Sequence, residues 1–140
     1  MLFRSSLEAR GERERLGGWL AEMGPHAGTR VVEDHQFWAY FAHRFGLELV
    51  ATLEPFPGIA PSTRQLTRVV ETVRAEQIPL ILSTTYFDPR HAQWVAERTG
   101  ARVVPLAHQA GAREGADSYL DAIDYNVRQV ATALASGSAR

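Results

Sequence analysis

The sequence predicts an α/β protein: a small doubly wound sheet of four parallel strands with flanking helices, preceded by an N-terminal linking helix. Three observations predict it. Four short apolar runs, Arg30–Glu33, Leu47–Leu53, Leu80–Ser83 and Arg102–Leu106, have strand length and suit burial on both faces, as in a parallel sheet. A stretch with helical start or stop signals follows each run. Strands and helices alternate throughout, which implies parallel pairing through right-handed crossovers.

Taken in order, the first helix spans residues 2–23, with Leu7, Leu16, Trp19, Leu20 and Met23 as its apolar positions. Gly11, Gly17 and Gly18 each cost it up to about 1 kcal/mol, and Gly24-Pro25 ends it. Gln36–Phe45 reads as an aromatic helix stopped by Gly46, a natural C-cap. Ser62-Thr63-Arg64-Gln65 matches a capping box, and Leu66, Val69, Val70 and Val73 then form an apolar stripe. Asp88-Pro89 sets a capping side chain before a proline, and that helix runs to Thr99, closed by Gly100. The last helix begins near Ser118 and carries Tyr119, Ile123, Val127, Val130 and Leu134 on one face. The expected division is a linking helix over residues 1–25, an α/β lobe over 26–135 and a disordered tail over 136–140.

Composition removes several function classes. A chain of 140 residues can bury one real core but is short for two domains. A net charge of −1 gives no reason to expect nucleic acid or an anionic membrane as partner. The basic residues are all arginine and lie scattered, which reads as coding bias rather than a patch. With no cysteine, disulfides and thiolate metal sites are excluded, so a soft-metal site must use histidine and carboxylate. No apolar run approaches the roughly 18 residues of a membrane span. The opening residues lack the apolar core of a secretory signal, so the chain as given is expected to carry no export address. There is no glycine-rich phosphate loop, and Ser83 lacks the nucleophile-elbow pattern.

A strand order of 2-1-3-4 places the topological switch point between strands 1 and 3, where open α/β sheets bind ligands. Four segments leave that carboxyl edge: Asp34-His35, Glu54-Pro55, Thr84-Thr85-Tyr86 and Ala107-His108-Gln109. His35 and His108 can therefore offer imidazole to one ion, since strands 1 and 4 stand two spacings, about 10 Å, apart. The plainer alternative for His35 is a histidine bonded to nearby backbone. The aromatic run Phe37, Trp38, Tyr40, Phe41 and Phe45 has helical spacing and reads as core. His43 and His91 fall on expected solvent faces of helices and His26 in a turn, and none of the three is expected to be a ligand.

The order of these residues resembles a known family. Val31-Val32, His35, Phe37, Tyr40-Phe41 and Phe45-Gly46-Leu47 resemble the C-terminal lobe of the zinc/manganese-type periplasmic solute-binding proteins of bacterial metal ABC transporters. Leu53-Glu54-Pro55, Pro57-Gly58-Ile59, Pro61-Ser62, Tyr86-Phe87-Asp88, Thr99-Gly100-Ala101, Tyr119-Leu120 and Asn126 keep the similarity going over about residues 2–135. The resemblance implies two α/β lobes joined by a long helix, with a divalent metal held in the cleft by three histidines and one carboxylate. It makes His35 the ligand of this lobe. The family's carboxylate usually sits three residues before a glycine after the last strand; Gly111 points back instead to His108, a replacement that favours zinc over manganese. Glu54 and Thr84 become cleft-lining positions, Thr84 standing where relatives often carry an acid. Implied partners are an ABC permease in the membrane and the missing N-terminal lobe, and the implied location is periplasmic.

On this reading the protein is not an enzyme. The alternatives are a small metal-dependent hydrolase-like enzyme, with Asp34 or Glu54 as general base, or a truncated lobe with no tight ligand. In the last case Leu7, Leu16 and Trp19 of an exposed linking helix would invite self-association.

Overall fold

The computed structural model describes residues 18–137. Ten elements follow one another: helix α1 (Trp19–Met23), a 3-10 turn (Gly24–His26), β1 (Arg30–His35), α2 (Ala39–Phe45), β2 (Glu48–Glu54), α3 (Thr63–Ala75), β3 (Leu80–Thr84), α4 (Arg90–Thr99), β4 (Arg102–Leu106) and α5 (Tyr119–Gly137). The four strands form one parallel sheet in the order β2-β1-β3-β4, as the alternation of strands and helices requires.

The period of two along each strand sorts its side chains between two cores. Val31, Leu80, Leu82, Val104 and Leu106 face one way and pack with Met23, Phe45, Val127, Val130 and Leu134, so α1, α2 and α5 cover that face. Val32, Ile81 and Leu53 face the other way, against Leu66, Val69, Val70, Val73 and Val95 of α3 and α4. Full burial of β3 on both sides explains its unbroken apolar run.

Local signals set most boundaries. Gly46 adopts a left-handed conformation at φ 75° and closes α2 through its N–H to the Ala42 carbonyl. Ser62 Oγ accepts from the Gln65 N–H at 3.1 Å, but the Gln65 side chain turns away to the Thr52 carbonyl, so only half of the capping box forms. At α5 the box closes: Ser118 Oγ accepts from the Asp121 N–H, and Asp121 Oδ2 accepts from the Ser118 N–H, each at 3.1 Å. Asp88 Oδ1 accepts from the Arg90 N–H at 2.9 Å, and this bond holds its carboxyl below the usual range.

Four expectations change. Helix α2 begins at Ala39 rather than Gln36, because the buried Glu33 carboxylate reaches forward and accepts the Phe37 and Trp38 N–H groups at 3.2 and 3.0 Å. A helix unbroken from residue 2 to 23 fails at Gly18, whose φ of 67° lies outside the helical region; Leu7, Leu16 and the remainder of that expectation lie outside the described residues. Trp19 is not an exposed patch. It packs on the first core and its Nε1 donates to Asp124 at 3.0 Å. Helix α5 continues through Ser136 to Gly137, where a tail was expected, and residues 138–140 lie outside the described residues.

Candidate metal centre

The centre starts from a slip in register. Arg30 pairs with Glu48 and Val31 with Leu49, but Val32 then pairs with Ala51, Glu33 with Thr52 and His35 with Glu54. Val50 is the extra residue, a bulge in β2. Without it the same count would set His35 opposite Leu53, which belongs to the second core. Bulges re-aim side chains in this way, and here the bulge turns a carboxylate toward an imidazole at the carboxyl rim of the sheet.

His35 Nε2 lies 2.5 Å from Glu54 Oε2. The other carboxylate oxygen, Oε1, lies 2.8 Å from His91 Nδ1. One carboxylate thus joins two imidazoles, one at the end of β1 and one in the first turn of α4. Phe87 stacks on the His35 ring with centroids 3.5 Å apart and planes 15° from parallel, which fixes the ring's tilt. His35 Nδ1 is buried with no hydrogen-bond partner, and Asp34 Oδ1 stands 3.4 Å from it.

Asp34 is itself held on several sides. Its Oδ2 accepts from the Thr84 N–H at 2.7 Å and from Ser83 Oγ at 3.3 Å; its Oδ1 accepts from Thr84 Oγ1 at 3.0 Å and from the His35 N–H at 2.7 Å. Trp38 Nε1 donates to Thr84 Oγ1 at 3.0 Å and ties the network to α2. Buried carboxylates need such partners.

His108 occupies different ground. The Asn126 side chain pairs with both main-chain groups of Ala107, accepting from its N–H at 2.8 Å and donating to its carbonyl at 2.9 Å, which fixes the exit of β4. His108 then meets Thr85 Oγ1 at 3.3 Å and the edges of Phe37 and Tyr86. None of these contacts is with His35, Glu54 or His91. A hollow of about 730 Å³ opens between α2 and α5, and His108, Trp38, Phe41 and Asn126 are in its wall while His35 is not.

Glu54, Thr84 and His91 stand elsewhere than their positions in the chain suggest. Glu54, expected on the cleft wall, sits at the middle of the cluster. Thr84 is 1% exposed and lies beneath the rim, bonded to Asp34 and Trp38. His91 does not face solvent; it is half-buried against Glu54. A signal for His91 was present. In a doubly wound fold each helix after a strand begins at the carboxyl rim, and Asp88-Pro89 places His91 in such a first turn. Among the described residues, no three His, Asp or Glu side chains are already gathered so as to hold an ion. The Glu54 oxygens are turned toward the imidazoles instead.

Comparison with known proteins agrees with this architecture. Residues 11–133 match ZnuA, zinc-uptake complex component A, periplasmic, and the chain belongs to that family. Among solved structures it is similar to the solute-binding protein FpvC of Pseudomonas aeruginosa in complex with Ni2+, at 25% identity and a TM-score of 0.72, covering 98% of this chain and 51% of that one. It is also similar to the laminin-binding protein Lmb of Streptococcus agalactiae, described as bifunctional with adhesin and metal-transporting activity, at 26% identity and a TM-score of 0.69, covering 91% and 48%. The laminin-binding protein Lbp of Streptococcus pyogenes matches at 26% identity and a TM-score of 0.68, covering 91% and 49%. The chain spans about half the length of these relatives. Among the described residues no helix is long and apolar enough to cross a membrane.

Proposed function

We propose that this chain is the C-terminal lobe of a divalent-metal solute-binding protein serving an ABC importer, non-enzymatic and periplasmic in its setting, with the metal as cargo. The observation that carries the reading is His35, an imidazole in register at the carboxyl rim of β1 in a chain of the zinc-uptake family. Zinc is favoured over manganese, because the rim offers imidazole nitrogen as well as carboxylate. His35 is the principal donor. His108, on the same rim beyond Tyr86, is the second donor of this reading. An N-terminal lobe would supply the remaining ligands, and the loaded protein would dock on a membrane permease.

The donor set suits such cargo. A metal-bound imidazole is normally oriented through its other nitrogen by a carboxylate. The unpartnered Nδ1 of His35 and the nearby Asp34 carboxylate stand ready for that pairing, which needs a closure of only a few tenths of an ångström from 3.4 Å. Calorimetric titration of the metal-free chain with Zn2+ tests the reading. Binding heat that disappears in His35→Ala is expected, with weaker binding in His108→Ala. Absence of heat above buffer, or binding indifferent to His35→Ala, overturns it.

A further inference from the structure

We propose that Glu54 supplies the carboxylate ligand of this metal site and that His91 is the residue that positions it. The inference rests on the reading of His35 as a ligand and names its nearest companion. Three independent features converge on Glu54. The bulge at Val50 places it opposite His35 in the strand register. Its Oε2 already meets the His35 Nε2 at 2.5 Å. Its Oε1 is held at 2.8 Å by an imidazole from a different element, at the start of α4.

The geometry needs little change to admit an ion. Two donors each about 2.0–2.1 Å from a tetrahedral zinc stand about 3.3 Å apart. The Nε2–Oε2 pair must therefore open by less than about 1 Å from its present separation. Glu54 can make that movement as a monodentate ligand, turning Oε2 to the ion while His91 Nδ1 keeps Oε1. As the ion takes the Nε2 lone pair, the single ring proton of His35 moves by way of solvent to Nδ1, which faces Asp34. The side chains of His35 and Glu54 are 11% and 16% exposed, which leaves them an edge open to solvent. The alternative is a purely structural contact in which Glu54 only steadies two histidines.

Because the chain contains no cysteine, Glu54→Cys gives a clean reporter. A thiolate that ligates Co2+ produces a near-ultraviolet sulfur-to-cobalt charge-transfer band that no wild-type residue can produce. The band is expected in Glu54→Cys. Cobalt bound by that variant without the band overturns the assignment. Should Glu54→Cys fail to fold, Glu54→Gln decides: a folded variant with Zn2+ affinity down at least tenfold supports Glu54 as ligand, and unchanged affinity removes it. For His91 the expected signature is a loss of about 10–100-fold in affinity in His91→Ala, the range for groups that orient a ligand. The visible cobalt spectrum of the variant should be unchanged and His91→Gln should recover part of the loss. Unaltered affinity in His91→Ala, or an altered cobalt spectrum, overturns the positioning role. Failure here is separable from failure of the wider reading: His35-dependent binding that ignores Glu54→Gln sinks only this inference, whereas binding that ignores His35→Ala sinks the lobe's proposed function.

Discussion

Asp34 accepts four hydrogen bonds, from the Thr84 N–H and hydroxyl, the Ser83 hydroxyl and the His35 N–H, and is 4% exposed. It therefore fixes where β1 ends relative to β3 and where the His35 ring starts. Removing the carboxylate would leave buried donors unpaired, at about 1–3 kcal/mol for each uncompensated group. Asp34→Ala is expected to lower unfolding stability by about 3 kcal/mol in urea titrations, with Zn2+ affinity falling in the same variant. A stability change under about 1 kcal/mol would show that water or neighbours replace the bonds easily. At this scale the sequence was legible in part. His35 at a strand end was readable because an apolar run stops there. The partnership of Glu54 with His91 was not, because it depends on one inserted residue in β2 that turns Glu54 toward the rim where Asp88-Pro89 places His91. That insertion leaves no periodic mark in the chain.

Helix α2 has seven residues and lacks a side-chain cap at its own N-terminus. Glu33, two residues from the end of β1, supplies the missing acceptor for the Phe37 and Trp38 N–H groups and also accepts from Thr52 Oγ1 at 3.2 Å. A negative charge at a helix start is favourable as well. The carboxylate thus couples three elements: β1, the start of α2 and β2. Glu33→Ala is expected to lower stability by about 2–3 kcal/mol, read from the denaturation midpoint at constant slope. It should also loosen the Phe37–Trp38 turn, visible as faster amide exchange there than in α3. Exchange unchanged at that turn would contradict the capping role. Elements whose signals are local were recovered from the chain. Leu80-Ile81-Leu82 reads as a buried strand, Gly46 and Gly100 mark helix ends, and Ser62 and Ser118 mark helix starts. The misplaced start of α2 came from a cap that belongs to the preceding strand, an interaction too distant in the chain for the usual pattern of capping residues.

The chain spans about half the length of its solved relatives, and on the proposed reading the strength of the metal site follows from the donors these residues supply. A complete structural zinc site contributes about 10–16 kcal/mol. If His35 and Glu54 count as two of four donors and each contributes similarly, about 5–8 kcal/mol remains, a Kd between roughly 0.1 mM and a few μM. Binding to the folded chain must then raise its stability. At 1 mM Zn2+, a Kd of about 10 μM gives about 2.7 kcal/mol and one of about 0.1 mM gives about 1.4 kcal/mol. For a domain of this size those values correspond to a rise in Tm of about 5–10 °C. The rise should reverse on chelation with EDTA and vanish in His35→Ala, because only the folded state brings the rim donors together. A shift that persists in His35→Ala would mean that zinc stabilises the chain elsewhere. Calorimetric stoichiometry adds a second constraint. One ion per chain fits a weak site within the lobe, whereas one ion per two chains, with affinity rising with protein concentration, would mean that a second copy completes the coordination. The contacts favour the first outcome, since Glu54 already stands against His35 within a single chain.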